Sequence, residues 1–233
     1  MGVTIKMLLV AALASQAAVP AKAPDQPPGS PDVEKACAQR TCRVGGFEAV
    51  IGVDKDRYMT IPVTRSPYLL EDGSILMFPG ETIAVQFAVN GDTLGAPLSV
   101  QRYAPHLPAF ILMSGGAPVV NSEDATLPQI KEDLPAKEVA ALPPNTLLLS
   151  YGQFKPKGET GMVLTLEHNL PHTVKLDLTI AEISPGAYKQ HYTSSCPIPP
   201  KIWGNENWPN ALGPIVLDKF RFLADGGTTM NCE

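Results

Sequence analysis

Two consecutive stretches of alternating apolar and polar residues, both within residues 161–183, constrain the fold of this chain more than any other feature. In the second stretch the apolar side chains at every other position are Val174, Leu176, Leu178 and Ile180. In the first stretch they are Met162, Leu164 and Leu166. A repeat of two residues is the spacing of a β-strand with one buried face and one solvated face. Both stretches are therefore predicted to be strands.

Residues 168–172 (HNLPH) separate the two stretches and contain Asn and Pro, which favour turns. The sequence therefore predicts an antiparallel hairpin at the centre of an all-β core. The chain of 233 residues contains 24 prolines, and this content supports many short strands joined by turns, because proline interrupts helices and central strands.

The amino-terminal region has the pattern of an exported protein. Residues 1–17 combine Lys6, an apolar run and a small-x-small cleavage site, as a secretory signal peptide does, and residues 21–23 offer a second cleavage site. Residues 18–35 are rich in proline and poor in large apolar side chains, which predicts a disordered leader. We therefore expect export to the periplasm or outside the cell, with one β-sandwich domain over residues 36–233.

Charge and hydropathy exclude some partners. The formal net charge of −5 argues against nucleic acid and anionic membrane surfaces. After the signal peptide, no stretch reaches the roughly 18 uninterrupted apolar residues of a membrane helix. We expect no membrane span.

The four cysteines are predicted to form two disulfides, because an even number in an exported chain is typical of a disulfide framework. Three pairings are possible, and we favour the local one, Cys37–Cys42 with Cys196–Cys232, which ties down the carboxyl-terminal region. A zinc site made by all four thiolates would need short paired spacings at both ends of the chain, and only the first pair has one.

Residues 114–145 interrupt the strand pattern with glycines, prolines and acidic residues. The segment is either a long irregular excursion from one domain or a linker between two domains. We favour the excursion, because each flank alone would hold only about 80 residues, which is small for a sandwich.

A strand, a corner and a second strand precede this excursion. Residues 82–90 alternate in the same way as the central stretches, and Pro79, Gly80 and Glu81 form the corner before them. The arrangement resembles the opening of immunoglobulin-like sandwich domains in secreted proteins. The resemblance implies an immunoglobulin-like antiparallel β-sandwich and no particular activity. The Cys…Trp…Cys arrangement of antibody domains is absent, since both tryptophans follow Cys196.

His168 and His172 are candidate metal ligands. If they end two paired strands, their side chains lie about 5 Å apart, close enough to share copper or zinc. Glu167, His191 or His106 would have to complete the site, because two imidazoles alone bind weakly. The alternative is that both are polar residues at the tip of a hairpin.

Trp203 and Trp208 are candidates for a platform that stacks sugar rings, with Tyr188 and Tyr192 nearby in the sequence. The composition of residues 203–209 predicts a loop. The alternative role for these tryptophans is to cap one end of the sandwich.

The sequence contains no Gly-x-Ser-x-Gly elbow, His-Glu-x-x-His motif, Walker loop or Gly-x-Gly-x-x-Gly loop. A pair of catalytic carboxylates among the acidic residues of 123–138 stays open as an alternative. We favour an exported, non-enzymatic β-sandwich that binds a protein or glycan partner and needs no cofactor. The alternatives are a periplasmic copper- or zinc-binding protein and a carbohydrate-binding module.

Overall fold

The computed structural model describes residues 31–43, 47–53, 58–103, 111–114, 117–120, 142–154, 161–184 and 187–223. These residues form one helix and fifteen strands. Their bounds are α1 Pro31–Gln39, β1 Cys42–Arg43, β2 Phe47–Gly52, β3 Tyr58–Val63, β4 Ser66–Pro67, β5 Ile75–Met77, β6 Thr82–Asn90, β7 Thr93–Arg102, β8 Ile111–Ser114, β9 Ala117–Val120, β10 Thr146–Phe154, β11 Gly161–His168, β12 Val174–Ser184, β13 Ala187–Ser194, β14 Gly204–Trp208 and β15 Ile215–Phe222.

Two antiparallel sheets share one core. The five-stranded sheet has the order β14-β11-β10-β6-β7, and the four-stranded sheet has the order β13-β12-β15-β5. Apolar side chains of both sheets form a single buried cluster. Three two-stranded pairs, β1-β4, β2-β3 and β8-β9, complete the described strands. The chain is therefore all-β, with antiparallel sheets packed against each other, as the alternation predicts.

The predicted facing of the central strands is confirmed. In β12 the four apolar side chains from Val174 to Ile180 are at most 7% exposed, whereas the side chains between them are partly exposed. Met162, Leu164 and Leu166 of β11 are each 0% exposed. A period of two residues therefore predicted which side chains face the core.

The predicted hairpin between these strands is wrong. β11 pairs with β10 and β14, whereas β12 pairs with β13 and β15, so the connection between β11 and β12 crosses from one sheet to the other. Two residues explain the crossing. Leu170 is 1% exposed and packs in the shared core. The side chain of Asn169 accepts a hydrogen bond from the N–H of Thr146 in β10 at 2.7 Å.

Residues 203–209 are also not a loop throughout. Gly204–Trp208 is the edge strand β14, paired with β11 from Leu166 to Met162. Tertiary contacts override the polar composition here. Trp208 packs against the core, and the carboxylate of Glu206 accepts a hydrogen bond from the N–H of Cys196 at 2.6 Å.

The folded part of the chain also begins earlier than predicted. Residues 31–35, assigned to the disordered leader, belong to α1. Proline at the first helical position and the acidic side chains Asp32 and Glu34 in the first turn favour a helix start. The predicted signal peptide and residues 18–30 lie outside the described residues.

The excursion is partly regular. β8 and β9 pair antiparallel with Ile111 opposite Val120, so the segment assigned to residues 114–145 includes β9 and the last residue of β8. Residues 121–141 lie outside the part of the chain that the structure describes.

The disulfide Cys37–Cys42 is present with an S–S distance of 2.02 Å, as predicted, and it joins α1 to β1. Cys196 is also disulfide-bonded. Its predicted partner, Cys232, lies outside the described residues, so that pairing stays a prediction. No helix in the described ranges is long and apolar enough to cross a membrane.

Candidate functional site

A buried ion pair joins the amino-terminal strand to the predicted corner. Arg43 is 1% exposed, and its Nε donates a hydrogen bond to Glu81 Oε1 at 2.8 Å. The guanidinium carbon lies 4.5 Å from the ring centre of Tyr68 and 5.0 Å from that of Phe78. The planar cation therefore lies over two aromatic rings, a favourable cation–π arrangement.

The other N–H groups of this guanidinium are also used. Nη1 donates to Ser66 Oγ at 2.7 Å and to the carbonyl of Pro67 at 3.0 Å. Nη2 donates to the carbonyl of Leu76 at 2.7 Å. Because its donors are engaged by the protein, Arg43 serves as a structural joint between β1, β4 and β5. No sequence pattern predicted its pairing with Glu81, which lies 38 positions away.

The same environment changes the acidity of Tyr68. Burial, helped by the negative charge of Glu81, raises the pKa of its hydroxyl to about 12 against the lowering effect of Arg43 and Arg102. Tyr68 is therefore a neutral packing partner of Arg43 at physiological pH.

Gln153 forms a second buried polar link. Its side-chain amide exchanges two hydrogen bonds with the backbone of Gly52, both at 2.7 Å. These two bonds tie the paired strands β2 and β3 to β10, so Gln153 has a structural role.

His168, one candidate metal ligand, is 0% exposed, and its Nε2 lies 2.8 Å from the carbonyl oxygen of Ile198. Burial lowers the pKa of this imidazole, against the opposing effect of the hydrogen bond to Ile198. The ring is therefore neutral near pH 7 and helps to join β11 to the segment before β14.

The second candidate, His172, has different partners. Its Nε2 lies 3.3 Å from Asp92 Oδ1, and the edge of its ring contacts Phe222, with ring centres 5.0 Å apart. Because β11 and β12 are not paired, the geometry that would bring the histidines together as strand ends is wrong. The described residues contain no group of three His, Cys, Asp or Glu side chains arranged to hold a metal. Copper or zinc binding stays a prediction.

Of the residues considered as additional ligands, His191 contacts Glu182 instead. Its Nε2 lies 3.1 Å from Glu182 Oε2, across the β12–β13 pair. The other carboxylate oxygen accepts a hydrogen bond from Asn210 Nδ2 at 2.8 Å. His106 lies outside the described residues.

The two tryptophans occupy different environments. Trp208 is partly buried against the core, whereas Trp203 is 48% exposed. Trp208 ends β14, whereas Trp203 precedes this strand, so a platform shared by the two rings stays a prediction. Tyr192 is 82% exposed on β13, and the side chain of Tyr188 is outside the described part of the structure.

Trp203 and its neighbour Ile202, which is 52% exposed, form an apolar surface that we call the 202–203 patch. A turn presents it. The N–H of Ile202 donates to the carbonyl of Pro199 at 3.3 Å, and that of Lys201 donates to the carbonyl of His168 at 3.1 Å. Lys201 adopts a left-handed conformation with φ of 60°. The backbone on the amino-terminal side of the patch is thus held in place.

The fold and this surface define an all-β protein of packed antiparallel sheets with an exposed apolar patch beside an edge strand. Comparison of the chain with protein-family models, with curated proteins and with solved structures finds no match in any of the three.

Proposed function

We propose that this chain is an exported, non-catalytic β-sandwich that binds a partner protein through the 202–203 patch. The observation that carries the proposal is the exposure of Ile202 and Trp203, two large apolar side chains adjacent in the chain. Adjoining exposed apolar side chains are a feature of interaction surfaces, and tryptophan is enriched among residues that dominate binding energy.

The use of the buried polar groups supports a non-catalytic role. Arg43 is paired with Glu81, Gln153 with the backbone of Gly52, and His168 with the carbonyl of Ile198. Each of these contacts joins two parts of the fold. Catalytic groups, in contrast, are aimed at a substrate position.

A protein partner fits the patch better than a glycan does. Sugar platforms combine aromatic faces with hydrogen-bonding groups, whereas Ile202 adds a branched aliphatic side chain with no polar edge. A glycan is the second candidate, because the exposed indole of Trp203 alone offers a stacking surface.

Export and the subclass of the sandwich belong to the same proposal. The Cys37–Cys42 disulfide is compatible with an oxidising compartment. An immunoglobulin-like arrangement is supported by the corner at Pro79, Gly80 and Glu81, because β5 and β6 on either side of it lie in opposite sheets.

Site-specific photo-crosslinking tests the protein-partner proposal. A photoreactive amino acid replaces Trp203 in one variant and Leu98 in a matched control, and both are expressed in the source organism. Leu98 is also large, apolar and exposed, at 63%, but it lies on β7 at another edge. We expect a discrete cross-linked partner from position 203 only. Equal labelling from both positions, or none from position 203, contradicts the proposal.

Binding of the purified partner supplies the quantitative test. Trp203→Ala is expected to weaken Kd at least about 30-fold, which corresponds to about 2 kcal/mol, while Leu98→Ala leaves Kd within about twofold. For the glycan alternative, Trp203 fluorescence is followed in a Trp208→Phe background during titration with oligosaccharides. A spectral change without any cross-link specific to position 203 would favour the carbohydrate-binding module.

A further inference from the structure

The edges of the two sheets differ in how they are protected. β7 contains Pro97 and two register irregularities opposite β6, β5 has three residues, and β14 has five. Proline, bulges and short length are devices that prevent edge strands from pairing with other chains. β13, in contrast, pairs with β12 over eight consecutive residues with no irregularity. Among the edges of the two large sheets within the described residues, it is the one that is both long and regular.

The hydrogen-bonding direction of β13 follows from one contact. The N–H of Ser195 donates to the carbonyl of Leu176 at 2.8 Å, so residue 195 faces β12. Directions alternate along an antiparallel strand, and residues 193, 191 and 189 therefore also face β12. The N–H and C=O groups of Gln190 and Tyr192 consequently point away from the sheet.

This outward edge is accessible. Lys189, Gln190, Tyr192 and Thr193 are all exposed, Tyr192 by 82%. A row of outward N–H and C=O groups at strand spacing matches one kind of occupant, another extended strand.

We propose that two copies of this chain associate by antiparallel pairing of their β13 strands, which joins the two four-stranded sheets into one sheet of eight strands. With the two-fold axis at His191, Gln190 of each copy lies opposite Tyr192 of the other, and these are residues whose backbone groups point outward. Lys189 lies opposite Thr193 of the other copy. In this register the lysines of the two copies do not lie opposite each other, and like charges directly opposite would destabilise the strand pair.

His191, the residue on the two-fold axis, has a partner within its own copy. His191 of each copy is held by its own Glu182, with 3.1 Å between Nε2 and Oε2. Because the same strand serves both copies, the pairing occupies the β13 edge of each, so the association closes at two copies and does not propagate into a fibre. The interface uses residues other than Ile202 and Trp203 and goes beyond the proposed function.

Sedimentation equilibrium of the purified chain tests the proposal. The wild type is expected to show a concentration-dependent equilibrium between monomer and dimer. Gln190→Pro removes an outward N–H but leaves the bonds to β12, so it should weaken the dimer at least about 30-fold without changing the circular dichroism spectrum. Gln190→Ala keeps the N–H and is the matched control that should still dimerise. A wild type that stays monomeric, or a Gln190→Pro variant that dimerises as well as the control, overturns the proposal.

Disulfide trapping keeps the test decisive if Gln190→Pro does not fold. Residues on the two-fold axis form a non-hydrogen-bonded pair with Cα atoms about 4.5 Å apart, which is within the range for a disulfide. His191→Cys should therefore give a covalent dimer on mild oxidation, and Leu98→Cys on β7 should not. Failure of the position-191 variant to cross-link contradicts the proposal. Trp203→Ala should dimerise like the wild type, which separates this interface from the partner-binding patch.

Discussion

β11 and β12 follow each other in the chain and share the same alternating pattern, yet they lie in different sheets with different surroundings. In β11 both faces are covered near its start, because Val163 on the outer face is 1% exposed and Leu164 on the inner face is 0% exposed. In β12 the outer-face side chains of Lys175, Asp177 and Thr179 are partly exposed, and only Ala181, farther along this face, is buried, at 4% exposure. The pattern therefore predicts the core face of a strand, but not whether its other face meets water.

The cover over the five-stranded sheet extends beyond β11. Leu148 of β10 and Ala84 of β6 also point outward, are at most 9% exposed, and form a small second cluster with Leu142. On the other sheet, the outward Asp177 of β12 accepts hydrogen bonds from Arg221 at 2.9 Å and Lys219 at 3.1 Å. Partly exposed ion pairs of this kind are typical of a solvated face.

The largest effect is expected on the inner face, which is buried in both β11 and β12. Leu178→Asp places an unpaired carboxylate in the core, at a site that is 1% exposed, and should prevent folding. Thr179→Lys, one position later on the outer face, should leave stability within about 0.5 kcal/mol. Soluble yield and far-ultraviolet circular dichroism measure both. A folded Leu178→Asp protein would show that β12 does not face a sealed core.

A reciprocal exchange on the outer faces tests the difference between the strands. Val163→Thr adds a hydroxyl at a covered position without changing the side-chain shape, and should lower the free energy of unfolding by about 1–3 kcal/mol. Thr179→Val makes the opposite change at an open position and should alter it by less than about 0.5 kcal/mol. Urea unfolding measures both variants. Equal effects at the two positions would remove the distinction between a covered and an open face.

The smallest expected effect is the pH dependence of stability caused by His168, the last residue of β11, where the chain leaves the five-stranded sheet. Burial holds the pKa of this imidazole below its ordinary value of 6.5, so the unfolded chain binds the proton more readily than the folded protein does. The stabilising contribution is complete above about pH 6.5 and declines as the pH falls toward the pKa of the folded state. One proton limits the slope to about 1.4 kcal/mol per pH unit.

Urea unfolding between neutral and mildly acidic pH measures this slope. His168→Gln should reduce it, whereas His172→Gln, at the other end of the same connection, should keep the slope associated with His168. An unchanged slope in His168→Gln would mean that another group causes the pH dependence.

Much of the strand content could be predicted from local patterns. The strand predicted at residues 82–90 has the observed bounds of β6, and Ile83, Val85 and Phe87 on its predicted apolar face are at most 1% exposed. Local spacing also predicted the Cys37–Cys42 disulfide. These features depend on neighbours within a few residues, so the sequence carries them directly.

The candidate sites were harder to predict. The proximity expected for His168 and His172 assumed that β11 pairs with β12, and the platform of Trp203 and Trp208 assumed a loop where β14 is a strand. The joint between Arg43 and Glu81 depends on a contact between distant parts of the chain. No local signal could reveal it, because neither side chain is unusual in its own stretch of sequence.

The sequence by itself determined that this chain is all-β and which side chains of β6, β11 and β12 face inward, because alternation of apolar side chains is a property of each strand alone. Only the tertiary structure decided which sheet each strand joins, which tryptophan is exposed and which edge is open. Strands pair through backbone N–H and C=O groups that are alike at nearly every residue. The residues of a strand therefore do not specify which other strand it pairs with. That choice depends on distant contacts such as the burial of Leu170 between the sheets.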